Sequence, residues 1–191
     1  MPFTPSKDSI RKEALERRAE LREMVGELSL KISRNFAASV PIPSGAVVSS
    51  YYAIGDEADP AALESELRRR GHRIVLPRVA GRNLPLDFHL WEAGVPLLRG
   101  GFGLSEPSSE WPMLAPDVLI VPLLAFDLQG YRIGYGAGYY DRTIRGLRER
   151  KNIVAAGFAF SVQEFEGVPH LAHDEKLDWV VTDAGAQEVR N

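Results

Sequence analysis

The residues with most chemical promise lie between Arg132 and Arg142, in the run RIGYGAGYYDR. Gly134, Gly136 and Gly138 alternate there with larger residues. Glycine lets the backbone turn sharply and leaves amide N–H groups uncovered, so such a loop can cradle an anion. Tyr139, Tyr140 and Asp141 follow where a helix is expected to begin, and the unpaired amides and dipole of a helix N-terminus attract phosphate. Arg132, directly before the glycines, is placed to add a cation. The spacing lacks the Gly-Lys-Ser/Thr ending of a P-loop and differs from the dinucleotide G-x-G-x-x-G. A tight strand-to-helix turn with three structural glycines produces the same pattern, so both readings stand.

Charged residues elsewhere offer partners for such a site. Asp141 in a first helical turn serves as a cap or dipole partner. Beside a phosphate it also suits magnesium, an ion that keeps most of its waters and takes one or two carboxylates; Asp174 is the candidate for a second. Lys7 and Arg11 stand at i and i+4, sharing one helical face that is either solvated or an anion clamp. Glu57, in GDEADP, falls just beyond an expected strand, at the carboxyl edge where α/β proteins bind ligands, or is a plain turn acid. His170 and His173 form H-x-x-H without a third ligand and read as a loop pair. There is no cysteine, which excludes disulfides, thiolate nucleophiles and Cys-ligated zinc, and no G-x-S-x-G elbow.

The elements that must position these groups are read from periodicity. Val118 to Phe126 is almost uninterrupted apolar sequence, as in a strand buried on both faces of a parallel sheet, with Pro122 ending its ladder pairing. Two helices are expected over 6–40, the first over 6–25 with Ser6 or Asp8 as cap. Ile10, Ala14, Leu21 and Val25 mark its apolar stripe, and Arg11, Arg17, Arg18 and Arg22 its opposite face. Gly26 is expected to separate it from a second helix marked by Leu28, Ile32 and Phe36. Ala46–Tyr52 reads as a strand, Asp59–Pro60 as a helix start, Leu63 and Leu67 as its buried stripe, and Ile74–Leu76 as the next strand, together a βαβ unit. Leu86, Phe88 and Leu90 alternate with Asp87, His89 and Trp91, a strand with one wet face in a peripheral antiparallel excursion. The Gly-, Pro- and Ser-rich 94–116 segment reads as an irregular connection. A helix to about Arg150, a strand Ile153–Phe160 and a strand Leu177–Thr182 complete the series. The expected class is α/β: one domain of 191 residues, its core at 46–183, with mostly parallel central strands flanked by helices.

Hydrophobic content of 45%, charged content of 26% and a net charge of −3 are those of an ordinary globular chain. The charge balance argues against nucleic acid as a partner, which needs a clustered basic face. No apolar run approaches the roughly 20 residues that span a bilayer, so no membrane partner is expected. The charged N-terminus has no signal-like apolar core, and a cytoplasmic monomer acting on small molecules is the expectation.

The segment AFDLQGYRIGYGAGYYDR, Ala125 to Arg142, resembles the signature of the 5-formyltetrahydrofolate cyclo-ligase family. Lys7 with Arg11, Tyr51 to Glu57, Leu76–Pro77, Glu106–Pro107 and PHLAHDEKLDWVVTD follow in family order, so the resemblance covers nearly the whole chain. It implies a Rossmann-like α/β fold and conversion of 5-formyltetrahydrofolate to 5,10-methenyltetrahydrofolate with ATP and Mg2+. By position, Lys7, Arg11, Arg132, Ile133, Gly134, Tyr135, Gly136, Ala137, Gly138, Tyr139 and Tyr140 would hold ATP. Tyr52 and Glu57 would bind the folate, Arg132 and Glu57 would be the catalytic residues, and Asp141 and Asp174 would ligate magnesium. Ala137 stands where many members have Gly or Lys. The pterin wall stays open among Trp91, Phe102 and Trp111. The alternative is a non-catalytic α/β module that binds a nucleotide or phosphorylated metabolite through the same loop.

Overall fold

The computed structural model describes residues 5–100 and 105–189, so Phe102 lies outside the described residues. In chain order the elements are α1 (Lys7–Ala19), α2 (Val25–Ser39), β1 (Val47–Ser49), α3 (Ala61–Arg69), β2 (Arg73–Val79), β3 (Leu86–Leu90), β4 (Leu98–Arg99), β5 (Ser105–Glu106), β6 (Val118–Val121), β7 (Ala125–Phe126), β8 (Arg132–Ile133), α4 (Tyr139–Arg148), β9 (Val154–Phe158), β10 (Trp179–Thr182) and β11 (Gly185–Glu188). Seven strands form one sheet in the order β11-β10-β9-β6-β1-β2-β3. The five central strands are parallel, and the edge strands β11 and β3 are antiparallel to their neighbours. Two small antiparallel ladders, β4–β5 and β7–β8, stand apart from it. The class is the expected one: a mostly parallel sheet flanked by helices. Among the described residues no helix is long and apolar enough to cross a membrane.

β6 shows why the sheet takes this form. All four of its residues, Val118, Leu119, Ile120 and Val121, are fully buried. Successive side chains alternate faces. Val118 and Ile120 accordingly join Ile32 and Phe36 of α2 and Leu63 and Leu67 of α3. Leu119 and Val121 join Ile144 and Leu147 of α4 on the other face. A strand covered by helices on both sides has no polar face, hence the continuous apolar run.

Several boundaries depart from expectation. β1 is only Val47–Ser49: after Ser50 N–H donates to Val75 O at 2.9 Å, the chain leaves the ladder. Pro122 ends the ladder pairing of the apolar run as expected, but the residues after it form β7, which pairs with β8 and not with the main sheet. The first helix ends at Ala19, and a 3-10 turn at Arg22–Met24 leads into α2, so Gly26 lies within α2 and interrupts nothing. Ser6 is the cap, its Oγ accepting from Ser9 N–H. His89 is buried, not wet, with Nδ1 2.8 Å from Trp111 O, because the Trp111–Met113 segment bridges to β3. β11 extends the sheet past 183 with the polar run GAQE, which carries no strand-like alternation.

Packing around β9 tests this layering. A Cβ on Gly157 would meet Leu123 Cδ2 and Leu177 Cδ1, each at 2.8 Å. Both leucines are buried, so the overlap is relieved only by shifting the core. Gly157→Ala is therefore expected to cost about 1–3 kcal/mol and lower the melting temperature by about 2–10 °C, read by thermal unfolding.

Candidate functional site

Apart from the three pterin-wall candidates, every residue singled out above for ATP, folate or metal binding lines one cavity of about 940 Å³. It opens at the carboxyl edge of the parallel strands, where β1 delivers Tyr51, Tyr52, Ile54 and Glu57, and β6 delivers Pro122. Its other walls are the loop from Arg132 to Asp141, α1 through Lys7 and Arg11, and the His173–Asp174 turn. Trp91 and Trp111 do not line it. Its aromatic groups are Tyr51, Tyr52, Tyr135, Tyr139 and Tyr140. Leu76, Pro77, Val79 and Leu86 make one wall apolar, next to the buried Glu106.

The glycine loop is braced from both sides by arginines. Arg11 Nε donates to Gly134 O at 3.0 Å, and Arg142 Nη2 donates to Ala137 O at 2.7 Å. The N–H groups of residues 134–138 donate to no other described residue. Carbonyls are thus satisfied by guanidinium groups while the amides stay available, the requirement for an anion cradle. Gly136 and Gly138 have φ of 100° and 66°, and Gly138 is the left-handed cap that starts α4. A Cβ at Gly136 would also approach Arg11 Nη2 to 3.4 Å. At these two positions backbone conformation demands glycine.

Helix α1 is carried to the loop by its buried residues. Ile10 and Ala14 pack with Leu124 and Ala125 of the β6–β7 stretch, Ile133 of β8 and Val168. Lys7 then pairs with Asp174 at 2.5 Å, and Arg11 with Asp8. Arg18, assigned above to the solvent face, is instead buried on this side. Its Nη2 donates to Tyr135 Oη at 3.2 Å, and Tyr135 Oη donates to Glu57 Oε1 at 2.8 Å. The Ile54 N–H holds the other oxygen of Glu57 at 2.9 Å. Arg18 lies four residues beyond Ala14, as Ala14 lies four beyond Ile10; that spacing was the available sign of its burial.

The two candidate metal ligands stand in different electrostatic settings. Asp141 Oδ1 accepts from Arg132 Nη2 at 2.9 Å and from Glu175 N–H at 3.0 Å. Arg132 Nη1 is held by Glu175 O at 2.5 Å, so both terminal nitrogens of this buried side chain are committed to protein. Burial lowers the Arg132 pKa, against the opposing pull of Asp141, Asp174 and Tyr140. Burial also raises the Tyr140 phenol, whose hydroxyl has no partner among the described residues. Both aspartates act electrostatically on Arg132 and line the same cavity. Among the described residues no group of three or more His, Cys, Asp or Glu could hold a metal. Two carboxylates fit magnesium nonetheless when phosphate oxygens and water complete its shell. His170 stacks on Tyr131 with centroids 3.5 Å apart and takes no part in the cavity, whereas His173 lines it.

The family model described as the 5-formyltetrahydrofolate cyclo-ligase family matches residues 3–183. The 5-formyltetrahydrofolate cyclo-ligase of Mycolicibacterium smegmatis is 32% identical over 185 residues, covering 93% of this chain and 93% of that protein. The enzyme of that name from Escherichia coli K12 is 31% identical over 174 residues, covering 87% and 93%. The NMR structure of Aquifex aeolicus 5,10-methenyltetrahydrofolate synthetase matches with a TM-score of 0.80 at 32% identity, covering 97% of this chain and 93% of that one.

The Lys7–Asp174 pair carries a pH dependence. Burial alone would raise the Asp174 carboxyl, but the Lys7 hydrogen bond, the Leu171 N–H and the charges of Lys7 and His173 outweigh it and hold it below the ordinary 3.8. A carboxyl lowered on folding stabilises the fold above its unfolded value, and the contribution is lost as pH falls through the folded value. Asp174→Asn is therefore expected to cost about 1 kcal/mol at neutral pH, the modest value of a partly solvated pair. In thermal melts against pH, its difference from the parent chain should begin to shrink near 3.8 and vanish only once the solution is below the lowered folded value.

Proposed function

The chain belongs to the 5-formyltetrahydrofolate cyclo-ligase family of enzymes, and from that premise we propose that it converts 5-formyltetrahydrofolate and ATP to 5,10-methenyltetrahydrofolate, ADP and phosphate, with magnesium. The observation that carries this reading is the sharing of one cavity by a braced glycine loop, the α1 cations and Glu57. A phosphate-binding end and an apolar end with a buried carboxylate suit two substrates of different chemistry. A volume of about 940 Å³ lies at the upper end for small-molecule pockets.

A formamide carbonyl is a poor electrophile, and phosphorylation remedies this. The formyl oxygen attacks the γ-phosphorus, the bond to the bridging oxygen breaks and ADP leaves. N10 of the folate then adds to the formyl carbon and loses its proton. That addition closes the five-membered ring; the carbon–oxygen bond then breaks, phosphate departs with the bonding pair, and a nitrogen lone pair forms the methenyl C=N bond. Such a sequence needs no protein nucleophile, so positioning and charge stabilisation dominate.

In this reading the amides of residues 134–138, with Lys7 and Arg11, receive the phosphate oxygens. Ile133, Tyr139 and Tyr140 complete the nucleotide wall. Arg132, each of whose terminal nitrogens already bonds to protein, acts by its field and by fixing the rotamer of Asp141. Asp141 and Asp174 would hold magnesium, which when bound neutralises phosphate charge. Release of Lys7 from Asp174 would free its ammonium for the nucleotide. Glu57 and Tyr52 orient the folate ring at the other end.

Incubation with ATP, magnesium and 5-formyltetrahydrofolate is expected to generate the methenyl chromophore. Ligand binding without product, at high protein concentration, would favour a non-catalytic module and sink the proposal. Asp141→Asn is expected to raise the magnesium concentration for half-maximal rate by about 10–100-fold, the usual cost of a disturbed metal site. An unchanged magnesium titration with an intact circular dichroism spectrum would remove Asp141 from the metal role.

A further inference from the structure

Arg18 and Glu57 are 3.9 Å apart, and their side chains are only 7% and 6% exposed. No other described ion pair has both partners so enclosed. They are too far apart for a hydrogen bond, and the hydroxyl of Tyr135 fills the gap, accepting from Arg18 and donating to Glu57. Arg18 Nη1 is buried with no partner among the described residues. An incompletely bonded guanidinium in the interior is costly. At this position on the stripe of Ile10 and Ala14 a Leu or Met would pack without that penalty, and apolar replacements of buried ion pairs are often neutral or stabilising. Stability therefore does not account for an arginine here, and the group it reaches is the folate-side carboxylate.

We propose that Arg18 is a positioning residue for the cyclo-ligase reaction: through the Tyr135 hydroxyl it fixes the orientation of Glu57 toward the folate. Glu57 is then held at both oxygens, by Tyr135 on one and by Ile54 N–H on the other. The device also assigns a job to Tyr135. Its ring leaves the phosphate loop and its hydroxyl serves the second substrate, while its backbone stays with the first. α1 in this way contributes to both ends of the cavity, with Lys7 and Arg11 at the nucleotide and Arg18 behind the folate. The inference rests on the cyclo-ligase reading and deepens it.

The test compares Arg18→Met, Tyr135→Phe and the double variant in the full chain, with kcat and KM measured separately for each substrate. Arg18→Met is expected to raise KM for 5-formyltetrahydrofolate about tenfold, equal to ~1.4 kcal/mol, with KM for ATP within about threefold. Because both side chains act through one bond to Glu57, the double variant should be within about threefold of the weaker single variant. Unchanged folate KM with a lowered melting temperature would mean a purely structural arginine and would overturn the proposal, as would multiplicative effects in the double variant. If Arg18→Met does not fold, Tyr135→Phe decides alone, since that ring is largely exposed: an unaltered folate KM overturns the proposal. If the parent chain makes no methenyl product, the cyclo-ligase reading has failed separately. Calorimetric titration of 5-formyltetrahydrofolate into the same variants then tests the role of Arg18 and Tyr135 through affinity, with weakened binding expected and unchanged affinity as the overturning result.

Discussion

The docking of α1 on the β7–β8 ladder is the contact on which the rest of the site depends. Ile10 and Ala14 anchor the helix against Leu124, Ala125 and Ile133. Lys7, Arg11 and Arg18 follow from the same face at spacings of four and seven, near whole helical turns. One apolar contact thereby aims three cations, two at the glycine loop and its flanking Asp174, one at the Tyr135–Glu57 pair. The β7–β8 ladder is itself the base of the loop, so helix and loop share a foundation. Loss of this contact would not merely loosen a terminus. It would remove the brace on Gly134 O and expose a buried charge at once.

Charge in the cavity is arranged before any ligand arrives. Lys7 neutralises Asp174, Arg132 neutralises Asp141, and Arg18 faces Glu57. Each acid is matched by a base from a different part of the chain, which limits the repulsion that several carboxylates in one cleft would otherwise create. In the proposed reaction, incoming phosphate and metal would exchange partners within this set instead of desolvating isolated ions. Fixed dipoles and charges that need little reorganisation are the economical way to stabilise a phosphoryl-transfer transition state.

What was legible in the sequence was what is local. The position of the glycine loop before α4, the βαβ unit and the apolar β6 are each encoded within a few dozen neighbouring residues at most, and the structure contains each of these elements. Lys7, Arg11, Glu57 and Asp174 stand out in the sequence only as one of two readings each, with the resemblance favouring the functional one, and they share the cavity with the loop. Features that depend on what packs where were hidden. Arg18 read as surface because arginine usually is, although its spacing from Ile10 and Ala14 pointed inward. His89 read as wet because the segment that covers it, around Trp111, has no regular pattern. The edge strand β11 is specified by its neighbour β10 more than by its own polar residues.

Tyr135 shows why motif reading alone misassigns side chains. Its place between Gly134 and Gly136 says only that the backbone there turns sharply and leaves its amides uncovered. Alternation within a loop is not alternation within a strand, so nothing in the spacing tells where the ring goes. The ring direction is set by Glu57, held at the end of β1, and by Arg18, held on α1; these are 78 and 117 residues away in sequence. A single residue then belongs to the glycine loop by its backbone and to the Glu57 end of the cavity by its hydroxyl. In the proposed reaction, whose two substrates would meet at a formyl oxygen, a shared residue of this kind would couple the placement of one to the placement of the other.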